Sequence, residues 1–135
     1  MKKRALLAGL TAAATVVALS GCTLANAITP PVEAQLYSTL ADASGAPSSL
    51  AVPSWVPADA TNIRIKTNTE TGDSLMQFYA APVSLGGPCD ASVASNLPKL
   101  DDTWWPQTLP TDGIVCADGW HLFLVNNAQY NAWKP

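Results

Sequence analysis

A small, mainly antiparallel β domain of about five strands, stapled by one disulfide and carrying at most one short helix, is the fold class this chain predicts. Three observations carry that expectation. Ile63 and Ile65 alternate with Arg64 and Lys66, the period of two that a strand with one buried face requires. Asp118-Gly119 stands between two apolar runs, a strong signal for a type I′ hairpin turn. All five tryptophans, both phenylalanines and two of the three cysteines lie between Pro53 and Pro135, which places the folded unit at residues 53–135.

The chain starts with Lys2, Lys3 and Arg4, followed by an uncharged apolar run from Ala5 to Leu19, the layout of an export signal. That run is too short for a comfortable membrane span. Leu19-Ser20-Gly21-Cys22 closes it and resembles the lipobox of bacterial lipoproteins. The resemblance implies that residues 1–21 are a lipoprotein signal peptide and that the Cys22 thiol takes a diacylglycerol group before cleavage. Two acyl chains make a stable anchor where one holds only marginally. The expected location is thus the outer face of the bacterial cell membrane, with the lipid bilayer as a partner through Cys22.

Residues 22–52 are rich in Ala, Ser, Thr and Pro and contain no Trp or Phe, the composition of a lipidated N-terminus and tether. Within them, Pro31 to Ala43 fits one short helix. Pro30 and Pro31 suit a helix start, and Val32, Leu36 and Leu40 recur at intervals of four to form an apolar stripe. Gly45 and Pro47 then break it. Beyond Pro53, the Ile63–Lys66 strand and Leu75-Met76-Gln77-Phe78-Tyr79 flank Thr69 to Asp73, with Gly72, as a hairpin. Pro82 to Pro110 contains five prolines and Gly86-Gly87, so a long irregular crossing is expected. Ile114–Ala117, Trp120–Val125 and Gln129–Trp133 read as a three-stranded meander, its second turn at Asn126-Asn127, where Asn tolerates positive φ.

Three cysteines are an odd number for an exported protein until Cys22 is assigned to lipid, which leaves Cys89 and Cys116 as one disulfide in an oxidising compartment. Their spacing matches neither a redox Cys-x-x-Cys nor a zinc doublet. Loss of the signal leaves four basic residues (Arg64, Lys66, Lys99, Lys134) against ten acidic ones, a formal charge of −6. Nucleic acid is excluded as a partner by that balance. No polybasic patch for anionic lipid exists either, so the acyl chains are the membrane contact.

The chain has no Gly-x-Ser-x-Gly elbow, no phosphate-binding Gly loop and no His-Glu-x-x-His helix, and it implies no catalytic site, no cofactor and no metal. His121 is the single histidine and sits in an apolar strand, where a structural role outweighs that of a catalytic base. Asp101-Asp102 is the one adjacent carboxylate pair. Neighbours in an extended chain point apart, so solvated loop acids or a turn cap fit the pair better than acid–base work.

The aromatic residues are the better functional lead. Trp55, Trp120 and Trp133 read as core. Trp104-Trp105 in the long loop cannot easily both face inward, and with Asp101 and Asp102 they form the candidate binding group, flat apolar faces beside polar groups that fix orientation. Trp55-Val56-Pro57-Ala58-Asp59-Ala60, Trp104-Trp105-Pro106 and Cys116-Ala117-Asp118-Gly119-Trp120, in that order, resemble a group of small exported proteins and lipoproteins from actinobacteria. The resemblance implies an envelope location and a compact disulfide domain, and transfers no catalytic residue. The function expected is a non-catalytic, membrane-anchored envelope lipoprotein that binds a wall glycan or an envelope protein through the long loop. The alternatives are a small wall-directed hydrolase using His121 with Asp101, Asp102 or Asp118, and a structural accessory lipoprotein without a ligand.

Overall fold

The computed structural model describes residues 31–91 and 95–135. The expected signal peptide, Cys22 and residues 23–30 of the expected tether lie outside the described residues. Within them, seven strands form one antiparallel sheet: β1 (Val32–Thr39), β2 (Thr61–Asn68), β3 (Ser74–Tyr79), β4 (Gly87–Pro88), β5 (Val115–Ala117), β6 (Trp120–Asn126) and β7 (Gln129–Lys134). Their order is β1-β2-β3-β7-β6-β5-β4, so the last strand in sequence sits at the centre.

The fold is therefore the mainly antiparallel, disulfide-stapled β class that the alternation predicts, with seven strands where about five were expected. One added strand is β1. Of the segment expected to be a helix over residues 31–43, residues 32–39 pair with β2, Leu36 opposite Arg64 and Tyr37 opposite Ile63, and the rest is bend or turn. An interval of four satisfies both a helical and a strand period, so Val32, Leu36 and Leu40 could not separate the two. The buried residue is Tyr37, not Leu36, which is 53% exposed. Pairing with a half-buried neighbour overrides local helix preference here, and the folded unit begins at β1, not at residue 53.

Directly opposed residues share a face, so the register sorts the sheet into two surfaces. On the first lie Ile65, Met76, Ala132 and Leu122 as one cross-strand row, with Ile63, Phe78 and Tyr130 in the next positions. Residues 40–60 cover this face as a string of turns. Ala43, Ala46, Leu50, Val56 and Ala60 each donate a backbone N–H to the carbonyl three residues earlier, and all but Ala46 are buried. Trp55 and Trp120 meet edge-on there, 6.1 Å between ring centres, and Phe78 stacks on Tyr130 at 5.0 Å.

The second face carries the row Lys66, Leu75, Trp133, His121 and, beyond it, Cys116. Trp105 from the long crossing packs on Trp133, Phe123 and Leu75 to make a second core. Both faces of the sheet are thus covered at its centre, which explains why successive residues of β3 and β7 are buried.

Two turns show how local chemistry sets the register. Asp118 (φ 48°) and Gly119 (φ 80°) both adopt the left-handed region, the type I′ geometry predicted from that dipeptide. The Asn126-Asn127 turn differs from expectation, because neither asparagine has positive φ; the ladder instead slips between Leu124 and Asn126. The Cys89–Cys116 disulfide is formed as the cysteine count requires, with Cα atoms 5.0 Å apart. Beside it Gly86 has φ 66°, and a Cβ there would lie 2.3 Å from the Cys116 carbonyl oxygen. Only glycine lets β4 approach β5 so closely.

Candidate functional site

Apart from β4, the described residues of the crossing between β3 and β5 are mostly turns, bends and extended chain, as its prolines predict, but its two halves do different work. Residues near its start are tied down by Tyr130, whose hydroxyl accepts a bond from Val83 N–H at 2.8 Å and donates to the Val83 carbonyl at 3.1 Å. The later half, from Asn96 to Leu109, lies across the second face of the sheet.

That half is held at four points. The Trp133 indole Nε1 donates to the Asn96 carbonyl at 2.8 Å. Lys99 Nζ reaches Asp73 at 3.0 Å. Lys66 Nζ from β2 meets the Asp102 carboxylate at 3.0 Å and the Asp101 carbonyl at 2.7 Å. Gln77 Nε2 donates to the Trp104 carbonyl at 3.3 Å.

Asp101 and Asp102 do not act as a pair. Asp101 is exposed, while Asp102 is half-buried and accepts from the Thr103 backbone N–H at 2.7 Å as its carbonyl accepts from Trp105 N–H at 3.1 Å. Asp102 is therefore a turn cap with an ion-pair partner, the structural role anticipated for it. Trp104 and Trp105 split in the same way. Trp105 is 7% exposed and wedged into the second core, whereas Trp104 stays half-buried at the margin, its ring edge-on to Trp105 at 6.1 Å. The pair does not present two open ring faces.

What the loop does present is a cleft of about 480 Å³, within the range of small-ligand sites. Leu97, Leu100, Leu109 and the rim of Trp105 supply apolar walls; Asp101, Gln107 and Thr108 supply polar ones. The residue types of this cleft carry no signal in sequence, since leucines in a proline-rich loop are indistinguishable from core residues until the loop is folded.

His121 is fully buried, its ring stacked on Trp133 with centres 4.6 Å apart. No substrate reaches it in this arrangement, and Asp101 and Asp118 are exposed positions elsewhere. Among the described residues no group of three or more His, Cys, Asp or Glu side chains could hold a metal ion.

The electrostatics of the loop anchors are readable from two carboxylates. For Asp73, bonds from the Thr71 hydroxyl and Lys99 hold the pKa below its ordinary value against the opposing effect of burial. For Asp102, burial pushes the pKa up, but Lys66 and Thr103 outweigh it and the net shift is again downward. A depressed native pKa means that the unfolded chain binds more protons as pH falls through the ordinary carboxylate range, about 4. The stability contributed by both groups is therefore full at neutral pH and is lost as pH falls below that range through the native values. Asp73→Asn is expected to lower the melting temperature at pH 7 and to flatten its decline below about pH 4; thermal melts across pH check both.

A family model described as the YbbD head domain matches residues 34–79, about a third of the chain, which runs from β1 through β3. No curated protein and no solved structure matches the chain. The matched segment supplies Lys66, Asp73 and Gln77, three of the four sheet-side anchors of the loop, and none of the cleft itself.

Proposed function

We propose that this small β domain is an extracytoplasmic binding module, tethered to the outer face of the membrane through lipid on Cys22 and engaging an envelope protein through the 97–109 cleft. The single observation that carries the binding role is the cleft: an apolar-walled hollow with a polar rim, built on a loop that four sheet-side contacts hold in place. Rigid positioning of a loop on a sheet is how binding surfaces are commonly made.

Of the two partner classes, the lining favours protein over wall glycan. Sugar recognition uses an open aromatic face, and Trp105 shows only its rim. Leucine and proline walls instead accept an apolar side chain. The hydrolase alternative loses its base, because His121 is buried against Trp133. Support for the extracytoplasmic setting comes from the Cys89–Cys116 disulfide, with the Lys2–Cys22 signal pattern.

One set of membrane extracts tests the reading. A photo-crosslinking residue at Thr108 in the full chain is expected to trap a discrete envelope protein, and Leu100→Asp to abolish that adduct while the fold survives. In the same extracts Cys22→Ser is expected to move the chain out of the detergent phase. No adduct at Thr108, or an adduct indifferent to Leu100→Asp, would overturn the cleft reading; unchanged partitioning would overturn the anchor.

A further inference from the structure

The register places Leu36, Arg64, Gln77, Asn131 and Phe123 in one cross-strand row on the second face of the sheet. The loop covers one end of that row and stops at Trp104, whose carbonyl accepts from Gln77. Past this margin Leu36 and Arg64 are left open to solvent. Between them and the Trp104 ring runs a groove of about 240 Å³, floored by Ala34 and Leu36.

The cations of this face are not equivalent. Lys66 and Lys99 each have a carboxylate at 3.0 Å. Among the described residues the Arg64 guanidinium has no ion pair and no hydrogen bond, although the chain carries ten acidic residues. The nearest acid along β1, Glu33, lies opposite Thr67 on the other face and accepts a bond from Ser49 at 2.8 Å. An unpaired fork of N–H donors is complementary to an oxyanion, and the exposed leucine and indole beside it favour a carboxylate with a small apolar flank over a phosphate.

We propose that the Arg64–Trp104 groove binds the C-terminal carboxylate of a peptide whose last residues are small and apolar. Arg64 pairs with the carboxylate, and the Leu36 and Trp104 surfaces take the adjoining methyl groups. The groove's volume suits the end of a chain, one or two small residues, better than a chain passing through. Arg64 does not line the loop cleft, so this site stands or falls separately from the function proposed above.

The probes are N-acetyl-Ala-Ala as the free acid and as its C-terminal amide, titrated into the full chain carrying Cys22→Ser and followed by the Trp104 indole N–H resonance. The acid is expected to shift that resonance saturably and the amide to bind about tenfold more weakly or worse, the usual loss when a charged hydrogen-bond partner is removed. Arg64→Gln should bind the acid no better than the unaltered chain binds the amide, and Arg64→Lys should fall between. Arg64 is exposed, so a dispersed spectrum is expected for both variants. Equal response to acid and amide, an Arg64→Gln titration like that of the unaltered chain, or no shift with either peptide at millimolar concentration would each overturn the proposal.

Discussion

Replacing Cys89 and Cys116 together with alanine is expected to lower the melting temperature by on the order of 15 °C or more. The two residues are 27 apart in sequence, and closing a loop of that size removes roughly 3 to 4 kcal/mol of chain entropy from the unfolded state. A domain of this size has only about 5–15 kcal/mol of net stability, so the loss is a large fraction. The bond also acts locally. It fixes β4, a two-residue strand, against β5, which is itself three residues long. Short strands at a sheet margin hold few ladder bonds, and without the cross-link this edge should fray first. Thermal melts of the double variant, and of the unaltered chain with and without reductant, check the result; coincident transitions would show that the bond does not stabilise the native state.

Trp133→Ala should be comparably damaging, at about 3–5 kcal/mol for the lost ring alone. Trp133 is 1% exposed and is the hub of the second core, with Trp105 at 6.4 Å, Phe123 at 6.2 Å and the His121 ring stacked at 4.6 Å. Its indole N–H also holds the Asn96 carbonyl and with it one end of the long loop. Truncation therefore opens a cavity, leaves a polar ring without its stacking partner and releases the loop. Trp133→Phe separates these effects. It keeps much of the packing but cannot donate to Asn96, so it should cost less in denaturant midpoint while loosening the loop in hydrogen exchange. Equal effects from both variants would place the whole contribution in the hydrogen bond.

Much of this architecture could be read from the chain because the deciding signals were local. Alternation at Ile63–Lys66, the Asp118-Gly119 turn and the cysteine count each name one structural outcome. Apart from the Asn126-Asn127 turn, where the reading departed from the structure the deciding contact was distant. Residues 31–43 carry a spacing that a helix and a strand share, and only the presence of β2 alongside selects the strand. Trp104 and Trp105 were legible as divided between inside and outside, but which one packs depends on Trp133, nearly thirty positions later. Arg64 was visible only as the polar partner in an alternating strand. Its significance depends on which acids the fold brings near, and no spacing rule reports that.

The central position of β7 bears on the order in which the chain can assemble. As the polypeptide emerges from its amino end, β1, β2 and β3 can pair early, since β1–β2 and β2–β3 are sequence neighbours. The free edge of β3 then waits some fifty residues for Tyr130 and Asn131 to arrive opposite Phe78 and Gln77. Until that moment half a sheet is displayed with an open ladder, and until the long loop follows its second face is uncovered too, the state most prone to pairing with another chain. Non-local pairing of this kind also slows folding relative to a simple meander. A nascent or truncated chain ending before β7 would thus be a sticky intermediate, and the vulnerable period in this protein's life is set by how quickly its final strand is delivered.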